Sequence, residues 1–316
     1  MQIKTLLVIT TIFLAASTLL SACAPSATPS PTPEPSPAPL VLTDGLGREF
    51  NVSLPFQKIV SLAASNTEIL FAIGAGSQVI ARDAFSDYPE AALAVKDIGG
   101  GWGEIDTETL LALQPDLVLA AQINAPEQIS ALEQLGLHVF YLSNPTDLEG
   151  MFDNLRLVAG LTGHAAEAEQ LITSLQARVQ AVDEAIAPLS YRPTVFYELD
   201  GTDPSAPWTP GPGTFIDLLI QRAGGSNVGS TLESDWAQIS IEALLTQNPE
   251  YILLGDALYG GVTPELVAAR AGWDAISAVQ NGNVYPFDDN LVSRPGPRNV
   301  EGLEAIARLL HPEAFD

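Results

Sequence analysis

Apolar residues fill an almost unbroken run from Leu6 to Leu20, vanish through a proline-rich stretch, and return after Leu40 in short blocks that alternate with helical periods. Blocks at Lys58–Ala63, Gln78–Arg82, Asp116–Ala120 and Leu137–Leu142 read as strands, and the helical spacing between them predicts α/β layers with mainly parallel strands. Ser65-Asn66-Thr67-Glu68 has the form of a capping box that opens a helix, with Gly74 to stop it. Pro126 in the first turn and Gly136 past the end bracket another helix, so a first lobe closes near residue 145. From Asp147 to Ala187 the spacing is helical throughout, with a break near Gly160-Leu161-Thr162-Gly163. Leu171, Leu175, Val179, Val182 and Ile186 form one apolar stripe on a helix of about 24 residues, about 36 Å long and able to span two lobes. Beyond Pro188 the alternation resumes through Thr194–Leu199, Thr214–Arg222, Glu250–Leu254 and Asn283–Phe287 and ends in a helix from about Asn299 to Leu310. The expected fold is α/β: an N-terminal lobe over 41–145, an interlobe helical segment over 146–188 and a C-terminal lobe over 189–316.

The two lobes carry the same signature. The segment from Trp102 to Leu119 aligns without gaps on that from Trp236 to Leu253, with Trp102/Trp236, Ile105/Ile239, Glu108/Glu242, Leu110/Leu244, Leu111/Leu245 and Pro115/Pro249 identical. Asp106 and Ser240 are good N-caps, which places each Glu in the first turn of a helix that its Pro terminates before a buried strand. Two readings of Glu108 and Glu242 stand here: carboxylates that answer the helix dipole, or exposed recognition points. Two readings of Trp102 and Trp236 stand likewise, core plug or contact surface, and the glycines of Gly99-Gly100-Gly101-Trp102-Gly103 favour a loop that presents its aromatic.

Composition narrows the chemistry. Thirty-eight acidic residues against 13 basic ones give a formal charge of −25, which repels nucleic acid and anionic membrane surfaces. The single cysteine, Cys23, excludes an intramolecular disulfide, and the scattered His138, His164 and His311 make no metal cage, so no metal site or resident cofactor is expected; any metal arrives inside a ligand. His138, within Leu137–Leu142, reads as a strand residue. Lys4, the apolar run and Leu20-Ser21-Ala22-Cys23 resemble a bacterial lipoprotein signal over residues 1–22, with Cys23 as the lipidated first residue of the mature chain. Seven prolines between Pro25 and Pro39 make residues 23–40 an extended tether, so the expected location is extracytoplasmic and membrane-anchored. Motifs of hydrolase elbows, Walker loops, zinc proteases and dinucleotide loops are missing from the sequence, which argues for a binding protein rather than an enzyme.

The stretch Ser61-Leu-Ala-Ala-Ser65-Asn66-Thr67-Glu68-Ile69-Leu70-Phe71-Ala72-Ile-Gly74, then Phe85-Ser86-Asp87-Tyr88-Pro89, Trp102, the Glu108 segment, Trp236-Ala-Gln-Ile-Ser and Arg294-Pro-Gly-Pro-Arg298, resembles the solute-binding components of ABC importers for cobalamin, ferric siderophores and haem. The resemblance covers about Gln57 to Leu310 and implies the helical-backbone periplasmic-binding-protein fold, with ligand held between lobes that move little. It implies that Phe85, Trp102, Trp208, Trp236 and Arg294 contact the ligand, a cobalamin or related corrinoid, with a ferric siderophore or haem as the second expectation. It also implies that Glu108 and Glu242 dock onto arginines of a permease dimer, which works with its ATPase, and that the binder acts as a monomer. Two positions depart from the cobalamin pattern: Ala121 stands where a ligand-facing Trp is expected, and Asn290, beside Asp288 and Asp289, where an acidic contact is expected. Arg82 and Arg298 are further basic positions near the expected cleft, the latter open between ligand contact and a surface ion pair before the last helix.

Overall fold

The computed structural model describes residues 40–53 and 55–315. The leader, Cys23 and nearly all of the tether lie outside these residues. The described chain opens with a hairpin missed in the sequence, β1 (Leu40–Thr43) against β2 (Glu49–Val52). Its turn is tied by Asp44, whose Oδ1 accepts from the amides of Leu46 and Arg48 and whose Oδ2 accepts from the Arg48 guanidinium.

The N-terminal lobe is built on a parallel sheet of β3 (Ile59–Ser61), β4 (Val79–Arg82), β5 (Lys96–Asp97), β6 (Leu117–Ala121) and β7 (Val139–Leu142), in the order β5-β4-β3-β6-β7. Every residue of β3 and β6 is buried, as expected of strands covered on both faces, and this is why they appear as unbroken apolar blocks. The C-terminal lobe repeats the plan with β8 (Thr194–Glu198), β10 (Ser226–Asn227), β12 (Tyr251–Leu254) and β13 (Val284–Pro286), all parallel in the order β10-β8-β12-β13. A separate antiparallel ribbon pairs β9 (Trp208–Pro210) with β11 (Trp236–Gln238).

Two helices, Leu148–Thr162 and Ala165–Ile186, join the lobes, broken where Gly163 takes φ 81°. The second has 22 residues, about 33 Å, and the predicted stripe is its buried face except at half-buried Leu171: Leu175, Val179, Val182 and Ile186 are each 5 % exposed or less. The last helix, Asn299–Leu310, packs on it, and one apolar cluster runs without interruption from Ile59 and Ile69 through the joining helices to Tyr197, Leu253 and Leu303. Separate clusters line the outer face of each sheet. Thr214–Arg222 resolves as a helix, Phe215–Arg222, capped by the Thr214 hydroxyl at the Asp217 amide.

Two local readings need correction. The helix after β3 runs from Ala64 to Ala72 with Ala63 at its cap and no side-chain capping bond, so Ser65 and Glu68 form no capping box. Instead Ser65 to Leu70 are all buried, and Glu68 turns inward. His138 is exposed and precedes β7 rather than lying in it, contributing only its carbonyl to the Val118 amide.

Candidate functional site

In an open parallel sheet the crevice for a ligand lies outside the carboxyl ends of the strands, where the strand order reverses. Here that point falls between β3 and β6 in one lobe and between β8 and β12 in the other. Both crevices are filled by the chain's own polar groups. Asn124 accepts from the Ala121 amide and donates to the Leu62 carbonyl, while Asn66 donates to the Leu119 carbonyl. In the other lobe buried Glu198 takes both terminal nitrogens of Arg270, at 2.5 and 2.9 Å, and Asp256 accepts from the Gly201 amide. Contact surface for a solute is therefore left to the loops that leave these strand ends.

The loop after β4 is set by a buried polar chain. Thr67 donates to Ser61 at 2.8 Å and lies 2.7 Å from the Ser86 hydroxyl, and Ser86 in turn donates to Asp83. Asp83 also accepts from the Phe85 amide at 3.2 Å, which fixes where Phe85 leaves the backbone. Burial pushes the Asp83 carboxyl up, with the Ser86 and Phe85 donors working against that. Phe85 is half-buried and meets Trp102 edge to face, ring centres 6.0 Å apart at 71°. Gly101, at φ 66°, allows this approach, because a Cβ there would strike the Phe85 ring. Trp102 itself is 86 % exposed.

Across the molecule, Trp208 and Trp236 sit on the β9–β11 ribbon, where Trp208 faces Gln238 and Trp236 faces Pro210. Directly paired residues share a face, as do residues two apart on one strand, so both tryptophans stand on the same side as a diagonal pair. They are 42 % and 50 % exposed, while Thr209 on the opposite side is fully buried. Trp102, Trp208 and Trp236 are thus presented rather than packed in the core, in contrast to Trp273, which is fully buried against Phe196. The structure pairs Phe85 with Trp102 and Trp208 with Trp236, one pair per lobe.

Arg294 is not free to meet a solute alone. It donates to Asp87 at 2.6 Å and to Glu68 at 3.2 Å. Arg298 reaches the same Glu68 oxygen at 3.4 Å and Asp288 at 3.3 Å, and lies over the Tyr88 ring at 4.1 Å. Glu68 and Asp87 belong to the N-terminal lobe, the arginines and Asp288 to the C-terminal one, so these five side chains bridge the two. Burial pushes the Glu68 carboxyl up to about 7, against the pull of Arg298 and Arg294. Asp87, although partly desolvated, is held below the usual carboxylate range by Arg294.

Glu108 and Glu242 occupy equivalent first-turn positions of Thr107–Leu113 and Ile241–Gln247, helices capped by Asp106 and Ser240 as the repeat predicts. Both are exposed and make no side-chain hydrogen bond or ion pair among the described residues. Arg82 is consumed by the fold, donating to the carbonyls of Ala92 and Asp83 and to Asp97. Ala121 ends β6, buried, and Asn290 is half-buried with its amide on Asp288. Sequence reasoning missed Asp87, Glu68 and Tyr197 as members of this region; Tyr197, fully buried, donates to Asp289 at 2.7 Å, and burial pushes that carboxyl up. Among the described residues no group of three or more His, Cys, Asp or Glu is placed to hold a metal ion, and no helix is long and apolar enough to cross a membrane.

Paired parallel-sheet lobes on a helical connection, each offering exposed aromatics, from a loop in one and a ribbon in the other, define a two-lobed solute-binding protein. Residues 59–291 match the family described as periplasmic binding protein. An uncharacterized ABC transporter substrate-binding lipoprotein of Bacillus subtilis (strain 168), YvrC, is 29% identical over 88% of this chain and 87% of its own length. The vitamin B12-binding protein of Pectobacterium atrosepticum is 30% identical over 80% of this chain and 88% of its own. The crystal structure of the periplasmic vitamin B12-binding protein BtuF of Vibrio cholerae superposes with a TM-score of 0.70 at 26% identity, covering 83% of this chain and 99% of that one. The chain belongs to the periplasmic binding protein family, among the solute-binding components of ABC importers for cobalamin, ferric siderophores and haem.

Proposed function

We propose that this protein, anchored on the extracytoplasmic side of the cell membrane by a lipid on Cys23, captures cobalamin or a related corrinoid between its lobes and delivers it to an ABC permease. The reading rests chiefly on the two aromatic pairs of opposite lobes, half-buried Phe85 with exposed Trp102 on loops of one and exposed Trp208 with Trp236 on the ribbon of the other. A corrin is a broad apolar disc with a rim of neutral amides, and rigid aromatic faces give it contact area at low entropic cost. Charge supports the same class. A catecholate siderophore or a haem with ionised propionates brings net negative charge, and burying that charge without a free cation is costly. Arg294 and Arg298 are both engaged by Glu68, Asp87 and Asp288, and the chain as a whole is strongly acidic.

Calorimetric titration of the mature protein with cyanocobalamin, haem and a panel of ferric siderophores separates the readings. Saturable one-to-one binding of cyanocobalamin is expected. Heat only with a siderophore or with haem would move the assignment to those ligands. In this reading Glu108 and Glu242 contact the permease, and the protein carries out no catalysis of its own.

A further inference from the structure

The ion cluster between the lobes has features that stability alone does not account for. Glu68 contributes a fully buried carboxylate whose Oε1 is shared by Arg294 and Arg298, while its Oε2 and the Arg298 Nε are buried without a hydrogen-bond partner. A buried ionic group in this condition is a poor stabiliser, because desolvation is incompletely offset. In some proteins such groups are kept for the arrangement they enforce.

The position of the cluster fits that role. On the side of the joining helices the lobes share one continuous apolar core. Next to the cluster, however, is a cavity of about 330 Å³ whose walls come from all three bodies: Phe71 and Pro89 of the first lobe, Leu171 and Leu175 of the long helix, and Pro297 and Arg298 of the second lobe. Packed interiors resist deformation, whereas a cleft open to solvent at a junction leaves room for one body to turn against another. What spans the junction beside that cleft is the chain Asp87–Arg294–Glu68–Arg298–Asp288.

We infer that Glu68 is a positioning residue: its carboxylate, held by Arg294 and Arg298, clamps the two lobes at one separation and so fixes the distance between their aromatic pairs. The clamp is a property of the protein without ligand and does not depend on which solute binds. Other charged groups around it do not replace this link. Arg178, on the long helix, is taken by Glu304 at 2.7 Å, and Glu301 lines the cavity from the last helix. Asp83 serves Ser86 and Phe85, and Asp289 serves Tyr197.

The lobe separation can be read directly. The sequence has no cysteine besides Cys23, so a Cys23→Ser chain can carry spin labels at exposed Glu127→Cys in one lobe and Glu265→Cys in the other. Double electron–electron resonance without ligand is expected to give one narrow distance distribution. Introducing Glu68→Gln should broaden that distribution or shift it to longer distances while the far-ultraviolet circular dichroism stays unchanged. A Glu68→Gln distribution that superimposes on the parent refutes the clamp, whatever happens to the melting temperature, since a merely structural role would alter the latter alone. Should Glu68→Gln not fold, Arg298→Gln, which leaves the Arg294–Glu68 pair, is read in the same way: broadening supports the clamp and superposition overturns it. A separate failure of cyanocobalamin to bind would bear on the ligand assignment and leave this result standing.

Discussion

Glu68 shows how one side chain can be costly and still retained. Its carboxyl is raised from an ordinary 4.5 to about 7 by burial. A group that binds its proton more tightly when folded contributes stability at low pH and loses it as pH rises through the interval between the two values. That interval corresponds to roughly 3 kcal/mol. Glu68→Gln should therefore match the parent in urea unfolding near pH 4.5 and exceed it by an amount that grows to roughly 3 kcal/mol by about pH 7.5. A difference that stays flat with pH would contradict this. The exposed tryptophans should behave in the opposite manner. Trp102→Ala and Trp236→Ala are expected to leave thermal stability nearly unchanged, yet each to weaken cyanocobalamin binding by about 1–3 kcal/mol in calorimetry. The sequence made Trp102 legible because glycine neighbours mark a loop, and Trp236 through its match to Trp102 in the repeat. It misled at Glu68, because Ser-x-x-Glu spacing is the same whether the glutamate bends back to cap its helix or turns inward to arginines more than two hundred residues away.

At the scale of elements, the internal repeat survives in backbone detail. Gln114 and Asn248, which end the two matched helices before Pro115 and Pro249, are left-handed at φ 48° and 47°, the two non-glycine residues with positive φ among those described. Asn248 is held there by bonds of 2.8 Å to the Ser277 amide and hydroxyl. Gln114 has no such support among the described residues. Gln114→Gly should accordingly stabilise by about 0.5 kcal/mol, relief of left-handed strain offset by unfolded-chain entropy, whereas Asn248→Gly should destabilise by about 1 kcal/mol through its lost bonds. Urea midpoints of the two variants moving in the same direction would count against this account. Long helices and buried parallel strands were readable from periodicity, including the stripe of the joining helix. The β1–β2 hairpin and the β9–β11 ribbon were not, since strands of three or four residues beside Pro and Gly leave no alternating signal.

At the scale of the molecule, the two lobes were visible as two rounds of strand–helix alternation, but the filled crevices at the strand ends were not, because Asn66, Asn124, Glu198 and Asp256 acquire their partners only through the fold. Glu108 and Glu242 stand exposed at matched points of the two halves. The double Glu→Gln variant is expected to bind cyanocobalamin with unchanged affinity and to fail to stimulate its transporter's ATPase in reconstituted vesicles, rim charges acting on encounter more than on ligand affinity. Full stimulation at low protein concentration would return both residues to stabilising their helices. Labelling of cells with radioactive palmitate should mark the protein, and Cys23→Ser should abolish the mark; an unlabelled parent chain excludes the anchor. The ribbon that carries Trp208 and Trp236 belongs to neither main sheet, and its outward face supports no core. Replacements there should cost folding little, so, if Trp208 and Trp236 contact the solute as proposed, a change of cargo needs only a few ribbon positions to be redecorated while the scaffold is inherited intact.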